Sequence, residues 1–111
     1  MESDRELLEL AAKAAGIGPV LCYETRRNCL RIGYRDSYTL WRPLIDDADA
    51  FRLAVVTNQE ILIAAPLSYA RIALLEGASV PIVEGHSRSN AYTATRRAIV
   101  RAAAETGRQM P

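Results

Sequence analysis

The spacing of hydrophobic residues predicts a helix near the start of the chain. Apolar residues recur every three or four positions over residues 7–15, which places them on one side of a helix. Ser3 followed by Glu6 is a capping-box pattern: the serine hydroxyl accepts from the Glu6 amide, and the glutamate carboxylate accepts from the Ser3 amide. Gly16 suits a left-handed helix end. The pattern therefore predicts a helix that begins at Ser3 and ends at Gly16.

From residue 19 the period changes to two, which is typical of half-buried strands. Apolar and polar residues alternate over residues 21–24 and 29–34, and Thr25 to Asn28 form the predicted turn. A second turn around residues 35–37 leads into a third strand at residues 38–41. Pro43 then ends the ladder because it has no amide to donate. These signals predict a three-stranded antiparallel meander.

The stretch PLIDDADAFRLAV predicts a second helix, running to about Thr57. Asp46 suits its N-cap, Asp49 completes a capping box, and Ile45 is placed to pack against Ala50 as a hydrophobic staple. A cation site at the aspartates is the weaker interpretation. Their spacing lacks the glycine and the distal glutamate of a calcium-binding loop.

Two aliphatic runs at residues 60–65 and 70–75 predict a hairpin with a four-residue connection, residues 66–69. Residues 77–90 hold two glycines, a proline and several serines, so we expect a candidate mobile loop there. Within it, residues 80–83 suit one more edge strand. Whether this hairpin joins the first sheet is open at this stage.

A third helix is expected after Asn90, which suits its N-cap, with Gly107 as its stop. One side carries small or apolar residues, and the other side carries arginines. Small residues permit close approach to a sheet, to another helix or to a second copy of the chain. The small side consists of Ala91, Thr95, Ala98, Ile99, Ala102 and Thr106, and the arginines are Arg97, Arg101 and Arg108.

Taken together, the elements predict one α+β domain over residues 1–111, in the order α-β-β-β-α-β-β-α. We expect an antiparallel sheet of four to five strands packed with three helices as a sandwich. Half of the residues are hydrophobic, which is enough to bury a modest core.

Charge and cysteine content narrow the function classes. The formal net charge is +1, so only a local basic patch could attract nucleic acid or an anionic membrane. No apolar run is long enough to cross a bilayer, and the first ten residues are acidic, so we expect a cytoplasmic protein. Cys22 and Cys29 lie in adjacent predicted strands and could face one another, but a cytoplasmic address favours two reduced thiols.

Two surfaces are candidates for binding a macromolecule. Exposed aromatic residues could anchor a partner protein, although the tyrosines could instead pack against a helix and Trp41 could cover the core. Arginines could contact nucleic acid, although a solvated basic face is the simpler interpretation. The aromatic candidates are Tyr34, Tyr38, Trp41 and Tyr69, and the basic candidates are Arg26, Arg27, Arg31, Arg97 and Arg101.

Catalytic chemistry has little support in the sequence. His86, Ser87 and Ser89 lie in the predicted loop, and nothing places an acidic orienting group or an oxyanion donor beside them. The only histidine is far from both cysteines, so no metal-ligand spacing arises. We therefore expect no enzyme activity, and assign no catalytic, cofactor-binding or metal-ligating residue.

Three segments resemble a group of small bacteriophage and prophage proteins, the phage ABA sandwich domain. They are DRELLELAAKAAGI, WRPLIDDADAFRLAV and AYTATRRAIVRAAAETGR, and they cover under half of the chain. Where relatives tend to show Asp-Gly-Asp, this chain has Asp47, Ala48 and Asp49. The resemblance implies an α+β sandwich and an accessory protein that binds a host macromolecule, such as an anti-CRISPR inhibitor of bacterial defence. Nucleic-acid binding is the alternative.

Overall fold

The computed structural model describes residues 2–64, 67–72, 82–85 and 90–111. These residues form three helices and two antiparallel sheets, and the α+β class is therefore confirmed. The elements in chain order are α1 (Asp4–Ala15), β1 (Val20–Glu24), β2 (Cys29–Tyr34), β3 (Ser37–Trp41), α2 (Asp47–Val56), β4 (Gln59–Ala64), β5 (Leu67–Ile72), β6 (Ile82–Gly85) and α3 (Ala91–Gln109).

Helix α1 begins and ends where the sequence predicts. The Glu6 amide donates to Ser3 Oγ at 3.2 Å, and the Ser3 hydroxyl donates to the Glu6 carboxylate at 3.3 Å. The return contact is thus made by the hydroxyl and not by the Ser3 amide. Gly16 ends the helix at φ 69°, a left-handed conformation that glycine adopts without a Cβ clash. Both ends are specified by local chemistry.

Helix α2 is also capped as predicted, with one change of partner. Asp46 accepts from the Asp49 amide at 2.9 Å. The Asp49 carboxylate accepts from the Arg42 amide at 2.9 Å, so it closes the preceding turn and not the capping box. Ile45 is exposed, whereas Ala50 is buried, so a staple between them does not cover Ile45.

The first sheet is the predicted meander, in the order β1-β2-β3. Tyr23 pairs with Leu30, and Leu30 pairs with Trp41, which places the three side chains on the face that joins the core. The other face carries both cysteines, but Cys22 pairs with Arg31 rather than with Cys29. The thiols therefore do not face one another, and both are free.

The second sheet is separate from the first and has the order β4-β5-β6. Its hairpin is tighter than predicted, because Leu67 already pairs with Ala64 and leaves only residues 65 and 66 as the connection. The described residues thus hold six strands in two sheets, not one sheet of four to five. The additional strand, β6, pairs with β5 inside the stretch predicted as a mobile loop. Residues 77–81 and 86–89 of that stretch lie outside the described residues.

The core is centred on the contact between α1 and α3. Alanines from both helices are fully buried there, which brings the two backbones close together. Gly107 lies inside α3 and does not end it. A glycine is needed at this position because a Cβ would lie 1.9 Å from the Leu10 carbonyl oxygen. The first sheet contacts α1, and the second contacts α3. No helix within the described residues has the length and apolarity to cross a membrane.

Candidate protein-binding site

An open apolar groove lies between α2, β4 and the N-terminal half of α3. Its volume is about 670 Å³. We call it the apolar groove. The apolar residues that line it are Ala50, Phe51, Ile61, Ile63, Ala91, Tyr92 and Ile99.

Helical and strand periodicity explain how these side chains reach the groove. On α2, Leu53 and Ala54 face the core, which leaves Phe51 turned outward and 69% exposed. On β4, Ile61 and Ile63 share one face because they are two residues apart, and Ile63 is 63% exposed. Tyr92 lies in the first turn of α3 and is 72% exposed. Large apolar side chains thus line the opening without covering one another.

Arg96 fixes the separation of the two helices at the edge of the groove. Its side chain is largely buried, and Nε donates to the Leu44 carbonyl at 3.0 Å. One terminal nitrogen donates to Asp47 at 2.5 Å, and the other donates to Thr93 at 3.3 Å. The guanidinium therefore links α3 to the start of α2. Because Arg96 and Asp47 pair with each other, they place little net charge on the groove.

A second set of hydrogen bonds fixes the start of β4. Gln59 donates to the Ile99 carbonyl at 2.9 Å and to the Thr57 hydroxyl at 3.1 Å. The Thr57 hydroxyl in turn donates to the Leu53 carbonyl at 2.6 Å. Since Arg96 joins α3 to the start of α2 and Gln59 joins the start of β4 to α3, the groove is formed before any partner arrives. A preformed site binds without the cost of ordering its own side chains and loops.

The structure does not bring the predicted aromatic anchors together. Trp41 is a core residue, only 8% exposed. Tyr34 is 71% exposed at the end of β2, so it does not pack against a helix. Tyr38 is also exposed, but it lies on the opposite face of the sheet, with the Arg31 guanidinium 5.0 Å from its ring centre. Tyr69 lies in β5, outside the residues whose side chains the structure describes.

Most of the candidate nucleic-acid arginines are engaged with acidic side chains. Arg27 and Arg31 contact the Glu24 carboxylate at 2.6 and 3.2 Å. These two arginines, Arg27 first, hold the pKa of Glu24 below its ordinary value of 4.5, against a smaller effect of burial. Arg97 pairs with Asp4 at 3.0 Å, and Arg101 pairs with Glu84. Arg26 makes no ion pair within the described ranges. The charges of four of the five arginines are therefore offset by acidic partners within the fold.

The remaining reactive candidates give no catalytic arrangement in the part of the chain that the structure describes. Burial raises the pKa of the Cys29 thiol, and the Glu24 carboxylate raises it further, so this thiol stays protonated and unreactive. Within the same residues, no three His, Cys, Asp or Glu side chains are close enough to hold a metal ion. His86, Ser87 and Ser89 lie outside the described residues.

Sequence reasoning missed the two aromatic residues that line the groove. A signal for Phe51 is present in α2: Ala50, Leu53 and Ala54 define the buried side of the helix, and Phe51 does not fall on that side. Tyr92 is harder to find from the sequence, because its exposure depends on how α3 packs against β4 and α2. Comparison with known proteins adds no guide to the site, since no protein family, curated protein or solved structure gives a significant match.

Proposed function

We propose that this protein is a small non-enzymatic binding protein that holds an apolar segment of another protein in the apolar groove. The observation that carries the proposal is the exposure of Phe51, Ile63 and Tyr92 around a preformed cavity of about 670 Å³. An exposed apolar patch on a folded chain commonly marks an interaction site.

The chemistry of the groove indicates what the partner presents. Aromatic residues dominate the energetics of protein interfaces because each buries a large area with few rotatable bonds. Burying such a side chain contributes roughly 1.5–3 kcal/mol. The Asp47–Arg96 pair leaves little net charge to select a charged ligand. We therefore expect the bound segment to insert bulky aliphatic or aromatic side chains.

The biological setting of the proposal comes from the resemblance to phage ABA sandwich proteins. It favours an accessory protein that acts in the cytoplasm of a bacterial host and inhibits a host protein, such as a component of a defence system. The sandwich arrangement that the resemblance implies belongs to this proposal too. Nucleic-acid binding has less support, because four of the five arginines assigned to it are paired with acidic groups.

Capture from a bacterial host lysate tests the groove when a matched pair of variants is compared. We expect the wild-type chain and Tyr34→Asp to retain one host protein in stoichiometric amount. Tyr92→Asp should retain at least about tenfold less, because it places a carboxylate in the groove. Tyr34→Asp is the control, since Tyr34 is equally exposed and lies at the end of β2, outside the lining of the groove. Equal capture by Tyr92→Asp would exclude the groove as the binding site.

Binding to short RNA and DNA at low salt tests the alternative. Phosphate contacts would give an affinity that falls steeply as salt rises. We expect no measurable binding. A steep salt dependence that Arg26→Gln together with Arg27→Gln reduces would favour nucleic acid as the partner.

A further inference from the structure

We propose that a second copy of this chain docks on the outward face of α2. This face carries Ala48, Phe51 and Val55, which we call the α2 outer stripe. All three are exposed, and Val55 is 58% exposed, whereas Leu53 on the opposite side is 1% exposed. The positions are three and four residues apart, so they form one continuous line along the helix. No described element covers this line.

The stripe fits a copy of itself in the antiparallel direction. Helix α2 runs from Asp47 to Val56, so a two-fold axis through its centre passes beside Phe51. This axis places Ala48 of each copy opposite Val55 of the other, a small residue against a large one. It also places the two Phe51 rings side by side. Such alternation of size allows the helices to approach closely along the whole stripe.

The charges beside the stripe are compatible with the same arrangement. Arg52 is exposed and pairs with Asp49 of its own helix at 3.0 Å. The Asp49 side chain is only 17% exposed and also accepts from the Arg42 amide, so in the dimer each Arg52 keeps its counter-charge on its own helix. The formal net charge of each chain is only +1, so overall repulsion between copies is small.

The area available indicates a dimer of modest affinity. Phe51 and Val55 of the stripe expose 69% and 58% of their surfaces, and Val56, which lies beside the stripe, exposes 58%. With Ala48, this amounts to roughly 400 Å² of apolar surface per chain if an aromatic residue contributes about 200 Å². At about 60% apolar, the whole interface would bury roughly 670 Å² per chain, near the lower limit for specific complexes. We therefore expect a dissociation constant on the order of micromolar.

This inference goes beyond the proposed function and does not rest on it. The apolar groove begins at Phe51 and extends away from the α2 outer stripe toward Ile63 and Tyr92. Phe51 therefore borders both surfaces, whereas Val55 belongs to the stripe and Tyr92 to the groove.

Mass measured in solution tests the dimer. Light scattering or sedimentation equilibrium over about 1 µM to 1 mM should show the mass rising from 12.2 kDa toward twice that value. Val55→Asp should raise the dissociation constant at least about 100-fold, because each dimer would bury two carboxylates. Arg52→Glu should raise it about tenfold, because each chain would then carry two carboxylates without a counter-charge beside the stripe. Tyr34→Asp is the control and should dimerise like the wild type.

Two results would overturn the inference: a monomer at every concentration, or a Val55→Asp variant that dimerises as well as the wild type. Circular dichroism establishes that each variant is folded, which we expect since Val55 is exposed. Failure of the dimer is distinguishable from failure of the proposed function. Tyr92→Asp should lose the host partner and keep the dimer, whereas Val55→Asp should lose the dimer and keep a single functional groove.

Discussion

The two ends of α3 differ in how much of their hydrophobic surface is buried. Toward the C-terminus, small residues let the helix lie against α1, and Gly107 meets the Leu10 carbonyl with no space for a methyl group. Toward the N-terminus, Tyr92 stands beside Phe51 without being covered. The difference indicates that side-chain size decides which part of this helix closes into the core and which part stays exposed to solvent.

Ion pairs hold both ends, so electrostatics do not explain the difference. Arg97 reaches Asp4 at the start of α1, and Arg108 pairs with Glu2 and Glu105 near the other end. Arg96 performs the same role between α3 and Asp47. The arginines that resemble a basic stripe in the sequence thus connect elements of the fold.

The largest expected effect comes from closing the space at Gly107. Gly107→Ala should lower the free energy of unfolding by about 4 kcal/mol or more, because the new methyl group would displace α1 from α3. In an ordinary helix the same change would stabilise by up to about 1 kcal/mol. Chemical denaturation followed by circular dichroism gives the value. Gly18→Ala is the control, since a Cβ there would meet only Val20 N at 3.7 Å.

The next effect compares two neighbours on α2. Leu53→Ala should lower the free energy of unfolding by about 3 kcal/mol, since Leu53 is fully buried. Val55→Ala should change it by less than about 0.5 kcal/mol, because Val55 is exposed. Denaturation below the dimer dissociation constant keeps assembly from contributing. Similar losses for the two variants would show that the outer side of α2 belongs to the core.

A smaller effect is expected where Asp4 joins three elements. Its carboxylate accepts from Asn28 at 2.8 Å and from Arg97 at 3.0 and 3.2 Å. Asp4→Asn keeps the shape and removes the charge, so it should lower the free energy of unfolding by about 1 kcal/mol. Arg5→Gln breaks only an exposed pair with Glu9 and should cost under about 0.5 kcal/mol. An equal cost for both would mean that the Asp4 contacts do not stabilise the fold.

The smallest effect is a pH dependence at Glu24. Arg27 and Arg31 hold its folded-state pKa below 4.5, so the carboxylate stabilises the fold above the unfolded pKa, and this contribution is lost as pH falls through the folded pKa. Glu24→Gln should therefore be less stable than wild type at pH 7, and the difference should be smaller at a pH below the ordinary Glu24 pKa of 4.5. A difference that stays constant with pH would contradict the assignment. Urea denaturation at both pH values measures it.

Local chemistry made much of the fold predictable. Ser3, Gly16 and Asp46 each act on the residues next to them, so the ends of α1 and the start of α2 could be predicted from the sequence. The meander is equally local, since its strands are joined by short turns and alternate with a period of two. By its sequence position Trp41 fits either a core cover or an exposed anchor, and its pairing with Leu30 places it in the core.

Contacts between distant segments explain the errors. Gly107 carries the usual signal of a helix end, but Leu10, distant in sequence, determines its role. The start of β5 and the position of β6, which was expected at residues 80–83 and lies at Ile82–Gly85, depend on pairing between separate strands, where Pro66 and several glycines signal loops. The groove is harder still to predict, because exposed and buried apolar residues look alike until neighbouring elements are placed.

The most direct measurement of the central claim is the stability of a chain without its groove aromatics. If Phe51 and Tyr92 serve binding and not folding, the double variant Phe51→Ser/Tyr92→Ser should unfold within about 1 kcal/mol of wild type in guanidinium denaturation. A loss of more than about 3 kcal/mol, comparable to Leu53→Ala, would contradict the claim. Phe51 and Tyr92 would then stabilise the fold, and their exposure would no longer support the groove as a binding site.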